Sequence, residues 1–114
     1  MKKDDCIFCK LANGDIPTNS LYEDDIVKVI FDAGPASDGH VLILPKNHYD
    51  DIYSMDEGTA AHIFKVATRI AKAYKQSLDY EGLNIVQNNG EQQARQYSIF
   101  ICTSFLDIRM IQLM

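Results

Sequence analysis

The chain has 114 residues, 46% of them hydrophobic and 24% charged, with 16 acidic against 11 basic side chains and a formal charge of −5. That length supports one domain whose core needs no disulfide staple. The charge argues against a general electrostatic grip on nucleic acid, which requires a basic surface. No apolar run approaches about 18 residues, and Met1-Lys2-Lys3-Asp4-Asp5 has no signal-peptide pattern, so no membrane association is expected and the default location is cytoplasmic. Three cysteines, an odd number, fit reduced thiols or metal ligands better than a disulfide framework.

Cys6-Ile7-Phe8-Cys9 is a C-x-x-C pair. Alone it reads as half a zinc site, a redox pair or two idle buried thiols. A thioredoxin-like motif would follow a strand, and no strand precedes this one. Lys10–Asn13 reads as a short helix stopped by Gly14. Leu21–Glu23 and Ile26–Asp32 read as strands split by an Asp24-Asp25 turn, an antiparallel hairpin. Asp32 closes the second strand as a turn former or as a functional acid. Gly34-Pro35 breaks the chain, which returns as the strand His40–Leu44. His40 and His48 bracket that strand; a lone histidine at a strand start is commonly a hydrogen-bonded structural residue.

Ser54 and Glu57 have the spacing of a capping box. Beyond them Ile63, Ala67, Ile70, Tyr74 and Leu78 recur at helical steps, with Lys65, Arg69, Lys72 and Lys75 on other faces. His62 is read as exposed and idle. Gly82 ends the helical segment, and Leu83–Gln87 forms a strand running into Asn88-Asn89-Gly90-Glu91, an ordinary Asn-Gly turn on its own. Short antiparallel strands before and after one long helix define an α+β domain.

F-D-A-x-P-x-S-x-G-H-V-L-I-L-P-K-x-H, with C-I-F-C-K before it and N-I-V-Q-N-N-G-E after it, resembles the histidine triad (HIT) family of small nucleotide-binding hydrolases and transferases. The resemblance extends over Asp4–Glu91 and is to the zinc-type, bacterial-like members. It implies a HIT-like fold with about five antiparallel strands, one long helix and a short N-terminal helix, paired as a homodimer through the long helix and the strand after it. By the same resemblance Ile7, Phe8, Phe31, Asp32, Asn88 and Gly90 would hold a purine nucleotide such as AMP or an adenosine phosphoramidate. Asp32 would receive the ribose hydroxyls, since a carboxylate accepts two hydrogen bonds from a vicinal diol. Asn88 and Gly90 would present donors to phosphate. Cys6, Cys9 and His48 would be zinc ligands, three of the family's four, and His40 would lie behind the catalytic residues and orient them. No metal is required for the family's nucleotidyl-histidine chemistry.

The resemblance stops before the segment that defines the family. H-x-H-x-H is due about eleven residues after Asn88 on that resemblance, yet no histidine follows His62. Ile99, Ile101 and Thr103 occupy the expected triad positions, so none of the catalytic histidines is intact. Tyr97–Cys102 is apolar and β-prone enough to fill a strand slot. The boundaries expected are a HIT-like domain over 1–93 and an aberrant tail over 94–114. The genetic code offers a cause. A permitted coding string for the tail, read from the third base of the Ala94 codon, gives K-T-V-F-H-F-H-M-H-I-I-P-R-Y, which places histidines at 99, 101 and 103. One lost nucleotide near Gln93–Ala94 accounts for the tail, and the chain as written is expected to be inactive.

Overall fold

A computed structural model describes residues 6–31, 40–77, 82–87, 89 and 106–111. It has the expected α+β architecture. Five strands, β1 (Ser20–Glu23), β2 (Val27–Phe31), β3 (Val41–Pro45), β4 (Gly82–Val86) and β5 (Leu106–Ile111), form one antiparallel sheet in the order β1-β2-β3-β5-β4. Helix α1 (Ile7–Ala12) lies on one face and α2 (Glu57–Ser77) on the other.

Covering on both faces explains why β2 and β3 are almost uninterrupted apolar runs rather than alternating ones. Val27, Val29, Val41 and Ile43 pack on Ile63, Val66, Ala67, Ile70 and Tyr74 of α2. Their neighbours Ile30, Leu42 and Leu44 point the other way, onto Phe8, Cys9 and Ala12 of α1. Each such side chain, taken fully out of water, stabilises the fold by roughly 1.5–3 kcal/mol before entropy is counted.

Several local expectations shift. Helix α1 begins at Ile7 rather than Lys10, because the Cys6 sulfur caps it by accepting from the Cys9 amide at 3.3 Å. Gly14, with φ of 84°, follows its end in the left-handed region that suits glycine. The N-cap of α2 is Asp56, not Ser54: its carboxylate accepts from the Thr59 amide at 2.9 Å and from the Tyr49 hydroxyl at 2.7 Å. Ser54 instead closes a 3-10 turn over Ile52–Ser54, capped by Asp51. Gly82 opens β4 instead of ending the helix. The slot between β3 and β4 is filled by Leu106–Ile111; Tyr97–Cys102, like Leu78, lies outside the described residues. Leu106 and Ile108 enter the α2-side core, which gives β5 its hold.

His62 is not idle. Its Nε2 donates to Asp24 Oδ2 at 2.6 Å, tying α2 to the β1–β2 turn. The same carboxylate accepts from the Tyr22 hydroxyl at 2.7 Å and from the amides of Ile26 and Val27 at 2.8 and 2.9 Å. Burial alone would raise the Asp24 carboxyl, but the Val27 amide, His62, the Ile26 amide and Tyr22 outweigh it and hold it well below the usual carboxylate range. Asp56 is likewise lowered from 3.8 to about 2, chiefly by the Tyr49 hydroxyl and then by Thr59.

Both acids bind protons less readily folded than unfolded, so each contributes stability that is complete above its unfolded value and lost as pH falls through its folded one. The expected result is an acid unfolding limb falling between about pH 4 and pH 2. In Asp56→Asn and Asp24→Asn variants the limb flattens, read as melting temperature against pH.

Candidate functional site

Two segments bring Cys6, Cys9 and His48 together. Cys6 and Cys9 sit one helical turn apart at the start of α1, and His48 lies in the loop after β3. Asn13 joins the two by donating to Cys9 O at 2.9 Å and to Lys46 O at 3.0 Å. The Lys46 amide in turn bonds Ile26 O, and its ammonium meets Glu23 at 2.8 Å. The result places the Cys6 sulfur, the Cys9 sulfur and a His48 ring nitrogen all within 4.8 Å of one another, with Cys9 Sγ 3.3 Å from His48 Nδ1. Tetrahedral zinc would separate two sulfurs by about 3.8 Å and a sulfur from a nitrogen by about 3.6 Å.

The second ring nitrogen fits the same reading. His48 Nε2 donates to Asp50 at 2.6 Å, which fixes the tautomer and leaves Nδ1 as the lone-pair nitrogen facing Cys9. Asp50 is a residue that sequence reasoning missed, although its position two residues after His48 was a readable signal. One observation runs against the expectation of reduced thiols. Cys9 is a free thiol, whereas Cys6 is disulfide-bonded. The cluster can therefore hold a metal with all three ligands only when Cys6 is reduced.

Of the expected nucleotide contacts, Phe8 is buried among Ile30, Leu42 and Leu44, while Ile7 beside it is exposed. Phe31 is also exposed, and the ladder pairs it with Val41, a residue of the α2-side core. It is Ile30, not Phe31, that packs with Phe8. Asp32, Asn88 and Gly90, and the positions Ile99, Ile101 and Thr103, lie outside the described residues.

His40 is buried at the start of β3, and its Nε2 hydrogen-bonds the Asp107 carboxylate of β5. Asp107 is 1% exposed and also accepts from Arg109 Nε at 3.1 Å and Nη2 at 2.9 Å. A buried carboxylate needs such compensation. Since the contact links residues 67 apart, no local pattern disclosed it. His40 is thus held in place by the final strand, with Asp107 fully occupied between the imidazole and the guanidinium.

Residues 13–96 match the HIT domain model, and the chain belongs to the HIT family. It is similar to a HIT family protein structure from Bacillus anthracis, at 34% identity and a TM-score of 0.85 over 96% of this chain and 75% of that one. A zinc-bound histidine triad family protein from Mycobacterium smegmatis shares 30% identity with a TM-score of 0.83, covering 95% of this chain and 76% of that chain. The adenosine 5'-monophosphoramidase hnt1 of Schizosaccharomyces pombe is 35% identical over 85 residues, 75% of this chain and 61% of the relative. The chain spans 60–65% of the length of the first curated relatives it matches. Among the described residues no helix is long and apolar enough to cross a membrane.

Proposed function

We propose that this chain is a HIT-fold protein that binds a purine nucleotide such as AMP or an adenosine phosphoramidate and does not hydrolyse the phosphoramidate. The observation that carries the reading is the combination of a HIT domain match over residues 13–96 with a sequence holding no histidine beyond His62. In the family chemistry a neutral imidazole attacks the α-phosphorus of a nucleoside phosphoramidate and forms a nucleotidyl-histidine that water then cleaves. Flanking donors hold the phosphate oxygens and protonate the leaving amine. Ile101 stands where that nucleophile belongs, and an isoleucine supplies neither a lone pair nor a proton. The Asp107 carboxylate, buried between His40 and Arg109, is no substitute nucleophile.

On this reading Ile7, Phe8 and Phe31 line the base side, Asp32 takes the ribose, and Asn88 and Gly90 take the phosphate. Residues 1–93 carry the HIT-like domain, and 94–114 are a frameshifted replacement for its catalytic strand. Cys6, Cys9 and His48 hold zinc in the reduced protein, joining α1 to the loop after β3; the zinc-bound relative from Mycobacterium smegmatis supports this, as does the His48–Asp50 hydrogen bond. The protein works in the cytoplasm as a homodimer. Exposed Phe64 on α2, exposed Ile85 on the sheet-edge strand β4, and an apolar groove lined by Ile52, Met55, Ala60, Phe64 and Leu106 form the surface that pairing would cover.

Calorimetric titration with AMP, and a turnover assay on adenosine phosphoramidate, test the reading together. Saturable binding with no release of AMP is expected, from samples that sediment as dimers. Absence of binding would leave the zinc cluster as a structural or interaction module. Turnover by protein from a host lacking its own HIT enzymes would sink the proposal of inactivity.

A further inference from the structure

The strand between β3 and β4 brings a second charged cluster to the sheet. Residues opposite one another on neighbouring strands share a face, and so do alternate residues along one strand. Leu42, Asp107 and Val86 stand in line across β3, β5 and β4, and Asn84 stands opposite Arg109. Leu42 belongs to the cluster under α1, so Asp107, Arg109 and Asn84 lie on the face that carries α1, with His40 two residues before Leu42. On that face α1, with Ile7 and Phe8 in its first turn, packs over β2 and β3.

The cluster is layered by burial. Asp107 is 1% exposed; one of its oxygens meets His40 and the other accepts from Arg109 Nε at 3.1 Å and Nη2 at 2.9 Å. The Arg109 side chain is 39% exposed. The anion thus lies underneath and the cation on top. A guanidinium presents its donors in a rigid planar fork, so a carboxylate that fixes one edge also sets the direction of the rest. Exposed Asn84, directly across the ladder, adds an amide donor to the same surface. An oriented guanidinium beside an amide suits a phosphate better than any other common ligand group.

We propose that Arg109 is a phosphate-binding residue of this chain, a cation that β5 presents on the far side of Asp107 from His40. The inference rests on the nucleotide reading above and names the side chain that holds the phosphate's charge. Charge makes such a residue necessary. A phosphate monoester carries about −1.5 to −2 near pH 7, and the chain itself carries −5, so a local cation must offset the general repulsion. Inorganic phosphate shares the same chemistry, and only a nucleotide adds a base and ribose for the α1 side of the face.

The test is calorimetric titration of the full chain with AMP, adenosine and inorganic phosphate at low salt. AMP is expected to bind at least about tenfold more tightly than adenosine, and inorganic phosphate far more weakly than AMP. Arg109→Gln should bring AMP down to the affinity of adenosine while leaving adenosine itself unchanged. Arg109→Lys keeps the charge and loses the fork, and should cut the preference for AMP at least about threefold. An AMP preference undiminished in Arg109→Gln overturns the assignment and leaves the nucleotide reading standing. If the Gln variant fails to fold, an undiminished preference in Arg109→Lys overturns it in the same way. Inorganic phosphate binding as tightly as AMP also overturns it, since the anion site would then lie apart from the nucleotide. Binding of neither AMP nor adenosine by the unaltered chain overturns the nucleotide reading and this inference with it.

Discussion

Replacing residues 95–108 by K-T-V-F-H-F-H-M-H-I-I-P-R-Y is expected to turn the chain into an adenosine phosphoramidate hydrolase, with a rate gain of at least about 10⁴-fold. The magnitude follows from what is missing. Removing a nucleophile from an enzyme that works by covalent catalysis leaves only the binding and oxyanion contributions, typically several orders of magnitude short of the full rate. The replacement restores three histidines at alternate positions, 99, 101 and 103. Along a strand, alternate residues share one face, so all three point to the same side of the sheet. The middle one regains the attack on phosphorus, and its neighbours regain the anion-holding and proton-donating roles. A second replacement, K-T-V-F-H-F-N-M-H-I-I-P-R-Y, differs only in carrying asparagine where the first carries its middle histidine. It should bind AMP and turn over nothing. If the first replacement folds, binds AMP and still shows no hydrolysis, the frameshift account loses its chemical basis. Sequencing the gene across Gln93–Met114 checks the cause independently.

How much of this was legible in the chain depends on the range of the interaction. The runs Val27–Phe31 and Val41–Pro45 announced themselves because both sheet faces are covered, and the 3.6-residue rhythm of Ile63, Ala67, Ile70 and Tyr74 fixed α2. Its start was misplaced because Ser54 and Asp56 are both good caps two residues apart. The Tyr49 hydroxyl on Asp56 favours the second, and that contact spans seven residues. The Cys6–Cys9–His48 cluster was legible in its residues through family resemblance, but not in the Asn13 bridge that positions them or in the disulfide at Cys6. His62 looked idle because its partner, Asp24, is 38 residues away. The tail was hardest. Tyr97–Cys102 and Leu106–Ile111 are both apolar and β-prone, and local propensity does not choose between them. In Leu106–Ile111, Leu106 and Ile108 meet the α2-side core while Asp107 finds His40 and Arg109, a match visible only once the fold exists.

That match makes Ile108 the most informative position for the stability of the chain as written. Ile108 is fully buried, lies opposite Val41 of β3 and Ile85 of β4, and belongs to the cluster that α2 closes. Truncating an isoleucine in such a site removes transfer free energy and leaves a cavity, together about 2–5 kcal/mol. Against a total stability of about 5–15 kcal/mol for a domain, Ile108→Ala should shift the urea midpoint strongly at unchanged slope. Leu21→Ala, at an exposed position of the opposite edge strand β1, is the control and should cost less than about 1 kcal/mol. The contrast separates two pictures of the tail. If Leu106–Ile111 is the central strand, the sheet's integrity depends on Ile108, and the chain folds without the family's catalytic segment. If Ile108→Ala behaves like the edge control, some other part of the tail holds β3 and β4 together, and the His40–Asp107 contact goes with it.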